Sequence, residues 1–311
     1  MSKVLITGGA GFIGSNLAKE LVSDGDEVVV IDDLSMGKIE NLQGLNLQFF
    51  EHDVTDKIFM HHILKKYKFD YIYFLAAVAS VADSIKRPLE THKINQDAVL
   101  DTLEYIHYNK LPLKRFVFTS SAAVYGNLPD LPKSENSRCQ PLTPYAIDKY
   151  ASERFTINYD KLYGVPTAAV RFFNVFGPNQ NPKSPYSGVL SIITERLKDN
   201  KIFFLYGDGL QTRDFIFVAD VVKALILVAK KTNTADVFNV ARGKETTLLD
   251  MIRIYEKVAK RKLKISNLPE RQGDIRRSVA NISKIRSIGF APDWTLTEGL
   301  KAYWDSENNI K

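Results

Sequence analysis

The sequence predicts an α/β protein: a parallel sheet with helices on both faces, followed by a smaller C-terminal mixed α/β lobe. Three observations carry this expectation. From Lys3 to Phe172, apolar β-branched runs alternate with amphipathic stretches, the pattern of strands joined by crossover helices. A glycine turn, Gly8-Gly9-Ala10-Gly11-Phe12-Ile13-Gly14, directly follows the first apolar run. The alternation then breaks in residues 174–188, rich in Pro, Asn, Gly and Ser, which read as a loop into a different kind of lobe.

Residues 3–6 read as a strand, and 15–22 as a helix ending near Asp24-Gly25. A second β-branched run, 28–31, ends in Asp32-Asp33. Strand, glycine turn, helix, strand and acid make a dinucleotide site of the Rossmann type. Glycines let the backbone approach a pyrophosphate, the helix N-terminus supplies N–H donors, and the acid accepts from the adenosine ribose. Gly8, Gly11 and Gly14 are spaced one residue wider than the usual Gly-x-Gly-x-x-Gly. Asp32 points to NAD, because a carboxylate repels the 2′-phosphate of NADP; Ser35, Met36, Gly37 and Lys38 are placed to soften that preference.

Residues 47–50 read as the third strand, leading to Asp53, which either reaches the adenine or serves as a turn or cap acid. A helix over 58–66 and a buried strand over 71–75 follow. That strand runs into Ala76-Ala77-Val78-Ala79, small residues against which a cofactor can lie. Next come a long helix over 88–108 carrying Asn95, a strand over 116–119, a helix over 145–163 and a strand over 168–172. Thr143 suits the N-cap of the 145–163 helix, Pro144 its first turn and Gly164 its end. Ligands of such sheets bind beyond the carboxyl ends of the strands, where Gly8, Asp32, Asp53, Ala76, Ser121 and Asn174 all fall. The remainder predicts helices over 189–198, 218–230 and 248–260 and strands over 203–205, 237–240 and 263–265. Residues 1–174 are expected to form the nucleotide domain, with 215–241 partly returning to it. Residues 175–214 and 242–311 then form the second lobe.

A length of 311 residues, with 45% hydrophobic and 25% charged content, fits an ordinary soluble globular protein. The single Cys139 rules out an internal disulfide and fits a reducing, cytoplasmic setting. Only Met1, Ser2 and Lys3 precede the first apolar run, so no signal peptide is expected. No apolar segment approaches the roughly 20 residues of a membrane span. A net charge of +6 suits anionic ligands, but no long basic run with interleaved aromatics speaks for nucleic acid. The five histidines show no metal-ligand spacing, and no metal is expected; His61-His62 reads as a solvated helix face.

Ser121, Tyr145 and Lys149 read as one proton-handling site. Tyr145 and Lys149 are four apart and share a helix face. A tyrosine, with an ordinary pKa of about 10, is a poor base at neutral pH. A neighbouring ammonium favours its phenolate, and a strand-end serine can share a proton with tyrosine and substrate. Tyr-x-x-x-Lys by itself also describes any exposed pair on an amphipathic helix. The flanking dinucleotide features favour the functional reading.

With these motifs placed, the chain resembles the extended short-chain dehydrogenase/reductase superfamily, in its UDP-hexose 4-epimerase branch, over essentially its whole length. The carriers are TGGAGFIGS (7–15), IDDL (31–34), FTSSAAVYG (118–126), PYAIDK (144–149), RFFNVFGPNQNP (171–182), PYSG (185–188), GDGLQTRDF (207–215) and RQGD (271–274). The resemblance implies a UDP-sugar substrate and a tightly kept NAD. It places Phe12 and Ile13 at the pyrophosphate, Asp32 and Asp33 at the ribose, and Asp53 and Val54 at the adenine. Leu75, Ala76, Ala77, Ala79 and Asn95 pass along the cofactor and Phe173 lies near the nicotinamide; Ser35 and Gly37 join this set. Ser121, Tyr145 and Lys149 match the catalytic trio. Asn174 falls at the substrate diphosphate, and Ser187, Gly188, Arg213, Arg271 and Asp274 at UDP; Ser80 and Val189 join the substrate set. Arginine suits phosphate because its fork binds it bidentately.

The implied reaction removes the O4 proton while C4 gives up a hydride, then returns the hydride to the other face of a 4-keto sugar. Relatives that dehydrate carry an Asp-Glu pair where this chain has Ala122 and Ala123, which disfavours dehydration. UDP-glucuronate enzymes place an arginine in the loop that here reads Asn179-Gln180-Asn181, which disfavours a carboxylated sugar. UDP-glucuronate 4-epimerases and other nucleotide-sugar dehydratases or reductases remain the enzymatic alternatives, and an NAD-sensing module the non-enzymatic one; such modules lose the tyrosine or lysine kept here. Four residues after the uridine-binding acid, a bulky tyrosine can exclude N-acetyl groups; here that position is Ser278, which predicts acceptance of UDP-N-acetylglucosamine and UDP-N-acetylgalactosamine, with plain hexoses as possible co-substrates. A surface serine is the alternative reading of Ser278. The resemblance also implies a homodimer paired through the 88–108 and 145–163 helices.

Overall fold

A strand with no polar alternation has no solvent face, so it belongs inside a sheet covered on both sides. Val4 and Ile6 enter one apolar layer while Leu5 enters the other; Val28 and Val30 likewise part from Val29 and Ile31. The computed structural model of the protein describes residues 1–181, 188–270 and 275–308. In chain order its strands are β1 (Lys3–Thr7), β2 (Glu27–Asp32), β3 (Gln48–Glu51), β4 (Tyr71–Phe74), β5 (Arg115–Ser121), β6 (Thr167–Phe172), β7 (Asn174–Phe176), β8 (Ile202–Tyr206), β9 (Thr212–Arg213), β10 (Phe215–Phe217), β11 (Val237–Val240), β12 (Thr246–Thr247) and β13 (Lys264–Leu268). Its helices are α1 (Phe12–Ser23), α2 (Lys57–Tyr67), α3 (Val81–Lys86), α4 (Pro88–His92), α5 (Ala98–Tyr108), α6 (Pro144–Tyr163), α7 (Val189–Asp199), α8 (Val218–Lys231), α9 (Leu248–Ala259), α10 (Ser283–Ser287) and α11 (Leu296–Asn308).

Seven parallel strands form one sheet in the order β11-β6-β5-β4-β1-β2-β3. One face packs on α1, α8 and α10 through Leu17, Leu21, Val221, Leu225 and Ile285. The other packs on α2, α5 and α6 through Ile63, Leu64, Leu103, Ile106 and Ile157. The chain leaves β1 towards β3 and then returns to build outward from β4. The crevice for a ligand therefore opens above the carboxyl ends of β1 and β4. A third apolar cluster joins α7, α9 and α11 to β8 through Ile193, Leu197, Phe203, Met251, Tyr255 and Leu300. In this lobe β8 and β13 pair parallel, and β9 pairs antiparallel with β12.

Four features differ from the sequence expectation: residues 174–176, read as the start of a loop, form β7, paired parallel with β10, and three more follow. The helix expected over 88–108 is broken into α4, a π-helical turn at Lys93–Asp97 and α5. The π turn carries Asn95, whose side chain leaves the helix to bind a loop, and such turns mark functional positions. The strand expected over 263–265 runs to Leu268, paired along β8. Helices α3, α10 and α11 had no counterpart: two are too short for periodicity to register, while the start signal of α11, the capping box of Thr295 and Glu298, was passed over.

Candidate active site

The glycine turn is built by backbone-to-backbone contact. Gly8 has φ +70, and a Cβ there would lie 2.8 Å from the Ala76 nitrogen. At Gly14 a Cβ would lie 2.3 Å from the Gly8 carbonyl oxygen and 2.7 Å from the Gly9 Cα. Gly11 is the N-cap of α1 and makes no side-chain cap bond, and the first turn of that helix holds no acid. The first N–H groups of α1, those of Phe12 and Ile13 among them, therefore face the crevice with the positive end of the helix dipole, suited to a pyrophosphate.

Asp32 closes this turn. Its Oδ2 accepts from the Ala10 N–H and its Oδ1 from the Leu34 N–H, both at 2.9 Å. Burial raises its carboxyl above the ordinary range, while the backbone bonds from Leu34 and Ala10 act the other way. Gly37 packs over it, where a Cβ would meet Asp32 Oδ1 at 2.8 Å. Asp33 is more exposed and holds Ser35 by its N–H at 3.0 Å and its hydroxyl at 2.6 Å. Asp53 makes a turn, accepting from the Thr55 N–H at 2.8 Å, while Asp56 caps α2; Val54 is buried.

The 75–79 loop hangs from Thr7 and Asn95. The Leu75 N–H donates to the Thr7 carbonyl at 3.1 Å and the Ala76 N–H to its hydroxyl at 3.3 Å. Fully buried Asn95 accepts from the Val78 N–H at 2.8 Å and donates back to its carbonyl at 3.2 Å, which fixes Ala77 and Ala79 on either side. Ser80 caps α3, and Ser84 on that helix accepts from the Tyr145 N–H at 3.1 Å. Sequence reasoning missed Ser84, whose link spans 61 residues.

The three groups expected to handle protons lie on two neighbouring elements, Ser121 at the end of β5 and Tyr145 and Lys149 on α6. Thr143 caps α6 by accepting from the Ala146 N–H, and Pro144 opens it. Ser121 ends β5; its Oγ accepts from the Ala123 N–H at 3.2 Å and lies beside the Tyr145 phenol. Burial raises the phenol, and Ser121 works to lower it. Lys149 is buried, donates to the Thr119 carbonyl at 2.9 Å and lies 4.9 Å from the centre of the Phe118 ring. Burial draws its ammonium down to about 7, against the charge of Asp148. The serine, rather than the lysine, is thus the neighbour that favours the phenolate.

Two cavities meet along this crevice and share Asn174 and Arg213. One, of about 180 Å³, is lined by Ser121, Ala122, Ala123, Tyr125, Phe173 and Ser278, with Lys133 and Arg277 in its wall. The other, of about 380 Å³, is lined by Val189, Ile192, Arg196, Phe203, Phe204 and Tyr206. Arg213 donates to the carbonyls of Thr212 at 2.8 Å and Ile275 at 2.6 Å, which sets it in the wall between them. Gly188 is exposed, just ahead of α7. Ser187, Arg271 and Asp274 lie outside the described residues. Phe204 and Tyr206 were missed as cavity residues; alternation along β8, with Phe203 and Leu205 buried, was the available signal. Arg277, paired side-on to Glu245 at 2.8 and 2.7 Å, left no sequence signal.

Comparison with known proteins follows this geometry. The model of the NAD dependent epimerase/dehydratase family matches residues 4–241. A putative UDP-glucose 4-epimerase of Methanocaldococcus jannaschii is 34% identical over 310 residues, covering 98% of this chain and 99% of its own. The structure of a UDP-N-acetylglucosamine 4-epimerase from Methanobrevibacter ruminantium, in complex with UDP-N-acetylmuramic acid, is 37% identical. It covers 100% of this chain and 99% of its own, with a TM-score of 0.94. The UDP-glucose 4-epimerase of Thermus thermophilus in complex with NAD is 31% identical, covering 99% of this chain and 100% of its own, with a TM-score of 0.91.

Proposed function

The chain belongs to the NAD-dependent epimerase/dehydratase family, and from that premise we propose that it is a UDP-sugar 4-epimerase interconverting UDP-N-acetylglucosamine and UDP-N-acetylgalactosamine, with UDP-glucose and UDP-galactose as further substrates. It is an enzyme with NAD as its cofactor. The observation that carries the reading is the shared cavity: Ser121, Ala122, Ala123 and Ser278 line one space of about 180 Å³.

The residues present fit NAD, since the glycine cradle of α1 is one that a Cβ at Gly8 or Gly14 would fill. Gly8, Gly11, Phe12, Ile13 and Gly14 hold its pyrophosphate, and Asp32 and Asp33 its ribose. When bound, NAD supplies a reversible acceptor for the hydride of C4. Tyr145, as phenolate, takes the O4 proton and returns it after the 4-keto sugar has turned over. Ser121, beside the phenol, relays or steadies that proton. Lys149 places a cation behind them, anchored on Thr119. Arg213, Asn174 and Val189 grip UDP, together with Ser187, Gly188, Arg271 and Asp274. With binding energy concentrated on the nucleotide, the hexose is free to present either face.

Dehydration is disfavoured because Ala122 and Ala123, beside Ser121, offer neither acid nor base. Ser278 leaves space at C2 where a larger side chain would fill the cavity. Residues 1–174 with 215–241 serve the cofactor, and 175–214 with 242–311 serve UDP. The protein pairs as a homodimer through α3 to α6. Ile147, Phe155 and Leu162 share one exposed face of α6, and Ile85, Leu89 and Tyr108 are exposed nearby. Tyr145→Phe is the test: the variant should keep its NAD and lose turnover. Persisting turnover would remove Tyr145 from the reaction.

A further inference from the structure

The first turn of α6 has one N–H that its own cap does not serve. Pro144 carries none. Ala146 donates to the Thr143 hydroxyl at 3.3 Å, and Ile147 to the Thr143 carbonyl at 2.9 Å. The Tyr145 N–H instead reaches out of the helix, to Ser84 Oγ of α3 at 3.1 Å. Ser84 is fully buried, and its hydroxyl proton is committed to the Val81 carbonyl at 2.6 Å, which leaves a lone pair for Tyr145. The residue proposed as the base therefore has its backbone fixed by a second element.

Two turns further along α6, Ser152 makes another such link. It is fully buried and donates to the Asn95 carbonyl of the π turn at 2.9 Å. Tyr145, Lys149 and Ser152 are spaced four and three apart, so they share one face of the helix. Both links lead back to the 75–79 loop, assigned above to the cofactor. Ser80 caps α3 two residues after Val78, and the Asn95 side chain holds Val78 by both its N–H and its carbonyl. The bonds close a ring: Val78 to Asn95, Asn95 to Ser152, along α6 to Tyr145, Tyr145 to Ser84, and through α3 back to the loop. Neither serine lines either cavity. Removing a hydroxyl from the ring frees α6 to shift against the loop, and a misplacement of about 1 Å between reacting groups can cost about a hundredfold in rate.

Building on the role proposed above for Tyr145, we propose that Ser84 and Ser152 are positioning residues for the reaction, holding the Tyr145–Lys149 face of α6 at a fixed place against the 75–79 loop. Ser84 acts through the Tyr145 N–H, and Ser152 through the Asn95 carbonyl.

The test uses the full-length, NAD-loaded protein as wild type, Ser84→Ala, Ser84→Thr and Ser152→Ala. Turnover of a UDP-sugar that the wild type converts is measured at a temperature where each variant is folded, together with bound NAD and the thermal midpoint. Ser84→Ala should lose at least about tenfold in kcat while KM for the UDP-sugar and NAD content stay within about twofold of wild type. Ser152→Ala should show the same split with a smaller loss, and Ser84→Thr, which keeps the hydroxyl, should regain most of the activity. Amide hydrogen exchange reads the geometry without turnover: in Ser84→Ala, exchange rises at Tyr145 and along the 76–79 segment, and Ser84→Thr restores protection. A purely structural pair of serines would lower the thermal midpoint and leave kcat of the folded protein unchanged. Wild-type kcat in both alanine variants overturns the proposal, as does a loss of kcat matched by an equal loss of NAD. If Ser84→Ala does not fold, an unchanged kcat in Ser152→Ala overturns it. Turnover by Tyr145→Phe would instead overturn the assignment of the base on which the proposal stands.

Discussion

Glu153→Gln tests what holds α6 in register. Glu153 lies one turn beyond Lys149 on α6, and Arg171 lies on β6. The guanidinium donates from Nε at 2.8 Å and from Nη2 at 2.6 Å to the two carboxylate oxygens. Both side chains are almost wholly buried, at 4% and 0% exposed. Burial works against the Arg171 cation, but the bonds and charge of Glu153 outweigh it and hold the guanidinium above its ordinary range. Its Nη1 donates to the Tyr125 hydroxyl at 2.8 Å, and that hydroxyl donates to Asn239 at 2.6 Å. One network therefore ties α6, β6, β11 and the turn after Ser121 together. Glutamine keeps the volume of Glu153 and removes its charge. The arginine is then left buried and uncompensated, a loss of about 3–5 kcal/mol from a total stability of about 5–15 kcal/mol. Urea unfolding of the NAD-loaded protein, compared at a common m-value, reads this directly. The double variant Glu153→Leu/Arg171→Met removes both charges together and should recover more than half of the loss. A single variant within about 1 kcal/mol of wild type, or a double variant less stable than the single, would refute the reasoning.

Gly14→Ala should cost about 1–3 kcal/mol and strip NAD from the purified protein, since its Cβ meets backbone at 2.3 Å; cofactor released on denaturation, measured by absorbance, must fall. Gly11→Ala, with its contact at 3.2 Å, should retain more. Asp214 accepts from the N–H groups of Arg242, Gly243 and Ala280, and burial pushes its carboxyl up to about 6. Its folded-state pKa lies above its unfolded value, so its titration adds stability at low pH that disappears as pH rises through about 6. The stability difference between wild type and Asp214→Asn should therefore shrink by roughly 3 kcal/mol from about pH 3.5 to 7; a constant difference would contradict the shift. Ser278→Tyr should lower kcat/KM for UDP-N-acetylglucosamine relative to UDP-glucose by at least about tenfold, the weight of 1.4 kcal/mol of steric exclusion; an unchanged ratio removes Ser278 from specificity.

Local chemistry was legible in the sequence. Gly8, Gly11 and Gly14 with Asp32 announce a turn, although the approach of Gly8 to Ala76 spans the chain and was not legible, and Thr143-Pro144 announces α6. The sheet follows from two-sided burial, which writes itself as continuous apolar runs. Contacts that span the chain were not legible. Nothing at Glu153 points to Arg171, nor at Asp148 to His92, because each pairing exists only once β6 and α4 have packed on α6. Ser84 is invisible for the same reason: an ordinary serine on a six-residue helix becomes the acceptor for the Tyr145 N–H only in three dimensions. The break in the 88–108 helix escaped notice because the 93–97 segment keeps a helical composition; the loop bond of Asn95 favours the π turn.

The most direct measurement is to incubate the purified protein with UDP-N-acetylglucosamine, without added NAD, and follow the C4 configuration by NMR. Conversion to the C4 epimer, UDP-N-acetylgalactosamine, is predicted, with NAD carried by the protein itself and no net change in its redox state. No conversion of this sugar or of UDP-glucose by NAD-containing protein, or an accumulated dehydrated product, would contradict the account.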